Sequence, residues 1–328
     1  MGLLLLCLAT ITASPTLETV RIAADAPNAG IAARYRVDAA DVPVTMRRKF
    51  ELKESGVEVF EVTFPSAIVS KHVENNTVVA EFFRPKGATH SRAAIVLDIL
   101  DGAGVVSRGQ AVWLAANNIP ALCMTMPYYG VRRPPEATAG KLRFLSPDIA
   151  ASQANVRQGI LDARRAVAWL AGRPEVDPAN LGVVGTSLGS FLGAILAANE
   201  PKLTHASLLL GGGGLVDSFA DHPQAGIVTA ALKAAGVTTA ALKETLSAVD
   251  PLTYAGQLKA KRLLLIGATR DDVVPPGAMK RLWEATDKPK IIWVDATHVG
   301  AAAHLFPMMR SVLRHIAEPQ PAKSLNPR

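Results

Sequence analysis

The pentapeptide Gly185-Thr186-Ser187-Leu188-Gly189 sets a serine hydroxyl between small residues, after the apolar run 181–184 and before the apolar run 191–198. Such a hydroxyl is a weak nucleophile until a sharp turn exposes it and a base reaches it. The turn imposes strained backbone angles and brings strand and helix together. Gly185 and Gly189 remove the side chains that would collide there. A serine nucleophile needs a base, and the base needs an acid to orient it. Two downstream strand ends offer both. Residues 262–267 read as a buried strand running into Ala268-Thr269-Arg270-Asp271-Asp272-Val273-Val274-Pro275-Pro276. An acid just past a strand end, followed by Val-Pro and a helix, suits a carboxylate fixed at the rim of a sheet. Residues 291–294 read as another strand, ending in Asp295-Ala296-Thr297-His298-Val299-Gly300. A histidine in that loop can swing over the serine. The three types come in the order Ser, Asp, His, and their joint chemistry is acyl transfer.

Each residue also has a plainer reading. The pentapeptide can be a Gly-rich turn with an exposed serine. Asp271 and Asp272 can be turn formers or helix caps. His304, on what reads as the final helix, rivals His298 as the base. Asp217 and Asp221, beyond the strand at 206–210, are a second choice for the acid. His72, His90, His205, His222 and His315 lack a strand-end setting and read as structural or solvent-facing.

In these motifs and their order, residues 57–317 resemble the α/β-hydrolase family. The resemblance implies an α/β fold: a mostly parallel twisted sheet flanked by helices, with an antiparallel N-terminal edge and a small helical insertion at 215–260. It implies Ser187 as nucleophile, Asp271 as acid in an Asp-x-x-Val-Pro pattern, and His298 as general base. The family often has Gly directly before this histidine; here it is Thr297. The family's oxyanion hole uses two backbone N–H groups, which by position belong to Leu188 and Ala103. The usual His-Gly-x is replaced by Asp101-Gly102-Ala103, a change that leaves a backbone donor in place. The implied activity is a serine hydrolase cleaving a carboxylic ester, on a small molecule or a carbohydrate, through an acyl-enzyme and with no cofactor. A peptidase, a thioesterase and a non-catalytic binding protein on the same fold are the alternatives. The stretch before the first catalytic strand, about 90 residues, is too short for a propeller of several four-stranded blades, which ranks esterase above peptidase.

The 328 residues are 49% hydrophobic and 19% charged, a globular composition. The net charge of +7 is scattered over Arg47-Arg48-Lys49, Arg132-Arg133, Arg164-Arg165 and Lys259 to Arg262, and aromatic residues are only 5%. Nucleic-acid binding finds no support in that pattern. Neither His-Glu-x-x-His nor clustered Cys/His spacing is present, so a metal site is not expected. The Gly102-Ala103-Gly104-Val105-Val106-Ser107 stretch resembles a dinucleotide-binding loop but lacks the third glycine. The next strand ends without an acid for a ribose. Cys123 reads as a buried thiol in a strand.

Residues 1–14 read as a signal peptide: an apolar run, too short to span a bilayer, followed by Ser14-Pro15. That predicts a periplasmic or extracellular protein; the alternative is an uncleaved tail on a cytoplasmic one. Residues 15–56 read as a leader into the fold. Alternating residues at 57–64 and 77–83 read as antiparallel strands at the sheet's edge. Strands at 93–100 and 120–126 flank a helix near 110–117. Residues 155–171 form a helix whose Val156, Ile160, Ala163, Val167 and Leu170 share one face, leaving Arg157 and Arg164 to solvent. Between strand and helix, the loop 126–135 carries Tyr128, Tyr129, Arg132 and Arg133. It is expected at the site's rim, where its tyrosines line a cleft and an arginine meets an anion, or where aromatic packing pins it. Residues 318–328 read as a loose tail.

Overall fold

Apolar runs without alternation belong to strands covered on both faces. In the computed structural model, which describes residues 14–137, 143–146, 148–220 and 237–318, those runs form the middle of one sheet. Its strands are β1 (Thr16–Ile22), β2 (Ala40–Leu52), β3 (Val57–Pro65), β4 (Thr77–Pro85), β5 (Ser91–Leu97), β6 (Ala121–Met124), β7 (Val176–Thr186), β8 (Leu203–Leu209), β9 (Arg262–Ala268) and β10 (Lys290–Val294). Their spatial order is β1-β2-β3-β4-β6-β5-β7-β8-β9-β10. β1 to β4 are antiparallel, β4 meets β6 antiparallel, and every pair from β6 to β10 is parallel.

Successive side chains point to opposite faces of a strand, and the central strands feed two cores. Ile95, Val183 and Leu265 face one core; Val96, Val184 and Ile266 face the other. Helices α2 (Ile149–Ala171) and α3 (Leu188–Asn199) cover the first face. Helices α1 (Val105–Ala116) and α8 (Leu305–Ala317) cover the second. Burying each such Val, Leu or Ile contributes about 1.5–3 kcal/mol. Within 215–260 the described residues form α4 (Leu215–Ser218), α5 (Thr239–Ser247), a 3-10 turn (Pro251–Tyr254) capped by Asp250, and α6 (Ala255–Leu258). Helix α7 (Pro276–Ala285) follows β9. No helix among the described residues is long and apolar enough to cross a membrane.

Three expectations need correcting. The segment 15–56, read as a leader, supplies β1 and β2 of the same sheet, so β3 and β4 are interior strands. Helix α2 begins at Ile149, six residues before the expected start, where the Asp148 carboxylate accepts the Ala151 N–H at 3.0 Å. Arg164, expected in solvent, is 5% exposed and lies between Asp25 (2.5 Å) and Glu200 (2.9 Å). It ties the N-terminal segment to α2 and to the end of α3. The Arg47 and Lys49 cations pair across the sheet with Glu61 and Glu81, each at 2.7 Å. The expected signal peptide apart from Ser14, residues 221–236 of the expected insertion and the tail beyond Glu318 lie outside the described residues.

Candidate active site

Ser187 stands at the junction of β7 and α3 with φ +54° and ψ −119°. A side-chain-bearing residue with positive φ is strained by about 1–3 kcal/mol and persists only where its surroundings enforce it. They do so here. The Ser187 N–H donates to the Leu209 carbonyl at 2.8 Å, pinning the turn to the end of β8. A Cβ at Gly185 would overlap the Gly189 carbonyl. A Cβ at Gly189 would overlap the Leu97 carbonyl oxygen and come within 2.7 Å of that of Asp98. The two glycines therefore set how closely α3 approaches β7 and the end of β5. Beside them, Gln110 of α1 donates to the Thr186 hydroxyl at 2.9 Å.

Three loops at the C-terminal ends of β7, β9 and β10 bring Ser187, Asp271 and His298 into one hydrogen-bonded line. His298 Nε2 lies 3.0 Å from Ser187 Oγ, and Nδ1 lies 2.9 and 2.8 Å from the two carboxylate oxygens of Asp271. A carboxylate only accepts, so Nδ1 carries the proton and Nε2 is left to accept from the serine hydroxyl. Asp271 is 8% exposed. Its Oδ1 also accepts the Val273 and Val274 N–H groups at 3.0 and 2.8 Å. It is thus a turn former and the imidazole's partner at once. Asp272, expected as a turn former or helix cap, accepts the His298 backbone N–H at 3.1 Å and holds the histidine loop against the β9 loop. An exposed Arg270–Asp295 pair at 2.8 Å spans the same two loops.

The two residues expected to supply oxyanion donors belong to α3 and to the loop after β5. Leu188 is the first residue of α3, where helical N–H groups have no partner one turn back. Ala103 lies in the 98–104 loop between β5 and α1, which Gly189 approaches through Leu97 and Asp98. Asp101, at the position of the usual histidine, has φ +50°, and its N–H donates to the Tyr129 hydroxyl at 2.8 Å. Gly102, Ala103 and Gly104 also line a cavity of about 430 Å³, whose walls include Asp98, Tyr129 and Arg133 but neither Ser187 nor His298.

The remaining candidates lie elsewhere. His304 ends a 3-10 turn (Gly300–His304) before α8, outside the hydrogen-bonded line. Asp217 pairs with Lys243 at 2.7 Å on the exposed side of the insertion, and Asp221 is outside the described residues. Arg132 does not reach the rim. It is fully buried and donates to the Thr125 carbonyl, the Asn75 carbonyl and Asp162 at 3.0, 2.8 and 2.8 Å. Packing therefore pins the 126–135 loop. Tyr129 and Arg133, but not Tyr128, face the cavity. His205 and His315 face each other at 6.0 Å in the core, where burial and the nearby Arg262 depress their pKa values to about 3 and about 4. Burial pushes the Cys123 thiol up to about 12, which leaves it a packing group. Among the described residues, no group of three or more His, Cys, Asp and Glu side chains could hold a metal ion.

The mixed sheet, its flanking helices and a serine elbow on the fourth of these strands from the C-terminal edge define an α/β hydrolase. The chain belongs to the family described as alpha/beta hydrolase domain containing 18, whose model matches residues 27–221. That stretch contains Ser187 and ends before Asp271 and His298. The alpha/beta hydrolase domain-containing protein WAV2 of Arabidopsis thaliana is 30% identical over 149 residues, 42% of this chain and 46% of that protein. The match thus spans about half the length of each. Among solved structures, an acetyl xylan esterase from Paenibacillus sp. R4 superposes with a TM-score of 0.67 at 19% identity, covering 83% of this chain and 88% of that one. Acetyl xylan esterase 1 from Thermoanaerobacterium sp. JW/SL YS485 gives 0.58 at 18%, covering 81% and 87%. An esterase from Pyrococcus furiosus gives 0.56 at 17%, covering 82% and 95%. At these identities the likeness is one of fold.

Proposed function

We propose that the chain is a serine hydrolase that cleaves carboxylic esters through an acyl-enzyme. The observation that carries this reading is the unbroken line from Ser187 Oγ through His298 to the Asp271 carboxylate, with links of 3.0 and 2.8 Å. Ser187 Oγ attacks the ester carbonyl while His298 Nε2 takes its proton. Asp271 holds the imidazole in the accepting tautomer and stabilises the imidazolium. The Leu188 and Ala103 N–H groups receive the developing oxyanion. His298 then protonates the departing alkoxide. In the second half, a water loses its proton to His298 and attacks the acyl-Ser187 carbonyl; collapse returns the proton to Ser187 and frees the acid. Esters of small alcohols or carbohydrates are the substrates this reading favours, in keeping with the two acetyl xylan esterases of similar fold. The test compares turnover of short p-nitrophenyl esters with that of thioesters and aminoacyl anilides, in wild type and Ser187→Ala. Ester turnover that the variant loses supports the proposal. Faster cleavage of anilides or thioesters moves the substrate class, and turnover unaffected by Ser187→Ala refutes the mechanism.

A further inference from the structure

We infer that Asp98 and Tyr129 are positioning residues that hold the 98–104 loop, and with it the Ala103 N–H that the proposed mechanism assigns to the oxyanion. The inference rests on the ester-hydrolase reading above. Gly102, Ala103 and Gly104 form part of the wall of the 430 Å³ cavity, so packed side chains do not support them from that side. The backbone is also bent into the left-handed region twice, at Asp101 (φ +50°) and Gly104 (φ +79°). A strained segment beside empty space stays in place only if specific bonds hold it.

Two such bonds bracket Ala103. On one side, the Asp98 Oδ2 accepts the Gly104 N–H at 2.9 Å. On the other, the Tyr129 hydroxyl accepts the Asp101 N–H at 2.8 Å. Both holders are themselves buried. Asp98 is 4% exposed at the end of β5. Tyr129 is 5% exposed and packs edge-on against Phe144 at a ring separation of 6.0 Å. The loop closes tightly over Asp98: a Cβ at Gly102 would stand 2.5 Å from Ile99 Cγ1 and 2.8 Å from Asp98 Oδ2. Burial raises the Asp98 pKa, against the opposing pull of the Ile99, Gly104 and Ser107 N–H groups. A buried acid at the end of an otherwise apolar strand is thus retained in spite of its desolvation. Asp98 also joins the two halves of the site. Its carbonyl abuts Gly189 at the start of α3, while its carboxylate grips the loop.

An oxyanion donor acts in the transition state, so loosening it lowers kcat more than it raises KM. Losing one donor outright lowers kcat by about 10²–10³-fold, and partial displacement gives less. Asp98→Ala is expected to lower kcat by about 10–100-fold with KM changed by less than about threefold. Asp98→Asn keeps an acceptor for Gly104 and should stay within about fivefold of wild type. Tyr129→Phe removes one oxygen and should lower kcat by about tenfold. Affinity for a trifluoromethyl ketone, which forms a tetrahedral adduct on the serine, should fall in proportion to kcat/KM across the series. Complete labelling of Ser187 by a fluorophosphonate at long times should be kept. If Asp98→Ala does not fold, Tyr129→Phe carries the test by the same readouts. Normal kcat in folded Asp98→Ala and in Tyr129→Phe overturns the positioning role, as does a loss confined to KM or an Asp98→Asn as impaired as the alanine variant. A wild type that hydrolyses no ester and is not labelled at Ser187 overturns the ester-hydrolase reading and this inference with it. A labelled, active wild type beside unimpaired variants overturns this inference alone.

Discussion

Asp271→Asn probes the site with almost no change in volume. The native carboxylate offers Oδ1 to the Val273 and Val274 N–H groups at 3.0 and 2.8 Å, and both oxygens to His298 Nδ1. In the variant the amide oxygen keeps the two backbone donors, which both converge on Oδ1. The amide nitrogen, itself a donor, then faces Nδ1 and favours the tautomer with Nδ1 unprotonated. The imidazole proton moves to Nε2, 3.0 Å from Ser187 Oγ, so the ring no longer accepts the hydroxyl proton. Loss of the correct tautomer and of the buried charge lowers kcat by about 10³–10⁴-fold, or about 4–5.5 kcal/mol in activation free energy. The assay is the initial rate of p-nitrophenyl acetate hydrolysis, with thermal unfolding followed on the same samples. The midpoint should move by only a few degrees, because the turn keeps its backbone hydrogen bonds. The Asp217→Asn variant, altered at a surface ion pair with Lys243, should keep wild-type rates. An Asp271→Asn protein that is folded and within tenfold of wild type refutes the assigned role of the acid.

Further outcomes concern the frame of the site. Asp162→Ala leaves Arg132 charged, fully buried and short of its carboxylate, and should destabilise the fold by about 3–5 kcal/mol in urea titrations; a change under about 1 kcal/mol contradicts that reading. The buried His205 and His315 have folded pKa values of about 3 and about 4, below the unfolded value of 6.5. The unfolded chain therefore binds more protons in acid, and the stability from keeping both rings neutral is complete above pH 6.5 and lost as pH falls through that value toward 4. From pH 7.5 to 5 the loss is about 2 kcal/mol per ring. The positive Arg262 and Arg92 bear on His205, and Arg262, Glu318 and Lys290 on His315. Unfolding free energies measured against pH should show this slope, and a His205→Gln/His315→Gln double variant with the same slope contradicts it. Gly189→Val puts a branched side chain against the Leu97 and Asp98 carbonyls and should abolish esterase activity or soluble expression, whereas Gly277→Ala, with open space at its Cβ, should do neither.

The parts of this site that are legible from sequence are those with a local signature. The small residues around Ser187 mark a turn whose tightness the structure explains at Gly185 and Gly189. Asp271 and His298 each follow a short apolar run, and strand ends are where a parallel sheet gathers its side chains. β1 and β2 lack that clarity. β2 buries Val42 and Val44 but carries Pro43 between them and then Arg47, Arg48 and Lys49, whose partners Glu61, Glu81 and Glu51 lie on β3, on β4 or past the run. A charge run reads as solvated until its cross-strand partners are known. Arg132 and Arg164 were hidden for the same reason: their partner acids, Asp162, Asp25 and Glu200, are 30 to 139 residues away. Asp98 did leave a signal, a lone acid at the end of the apolar run 93–97. Tyr129 left none beyond its place in an aromatic loop, because its role depends on meeting the Asp101 N–H across 28 residues.

The central claim is that Ser187 is a nucleophile activated by His298. The most direct measurement is covalent labelling with a fluorophosphonate, followed by mass spectrometry of the digested protein. The account predicts a single adduct on Ser187, absent in Ser187→Ala and formed at least about a hundredfold more slowly in His298→Ala. No adduct in wild type, or one that persists undiminished in Ser187→Ala, contradicts it.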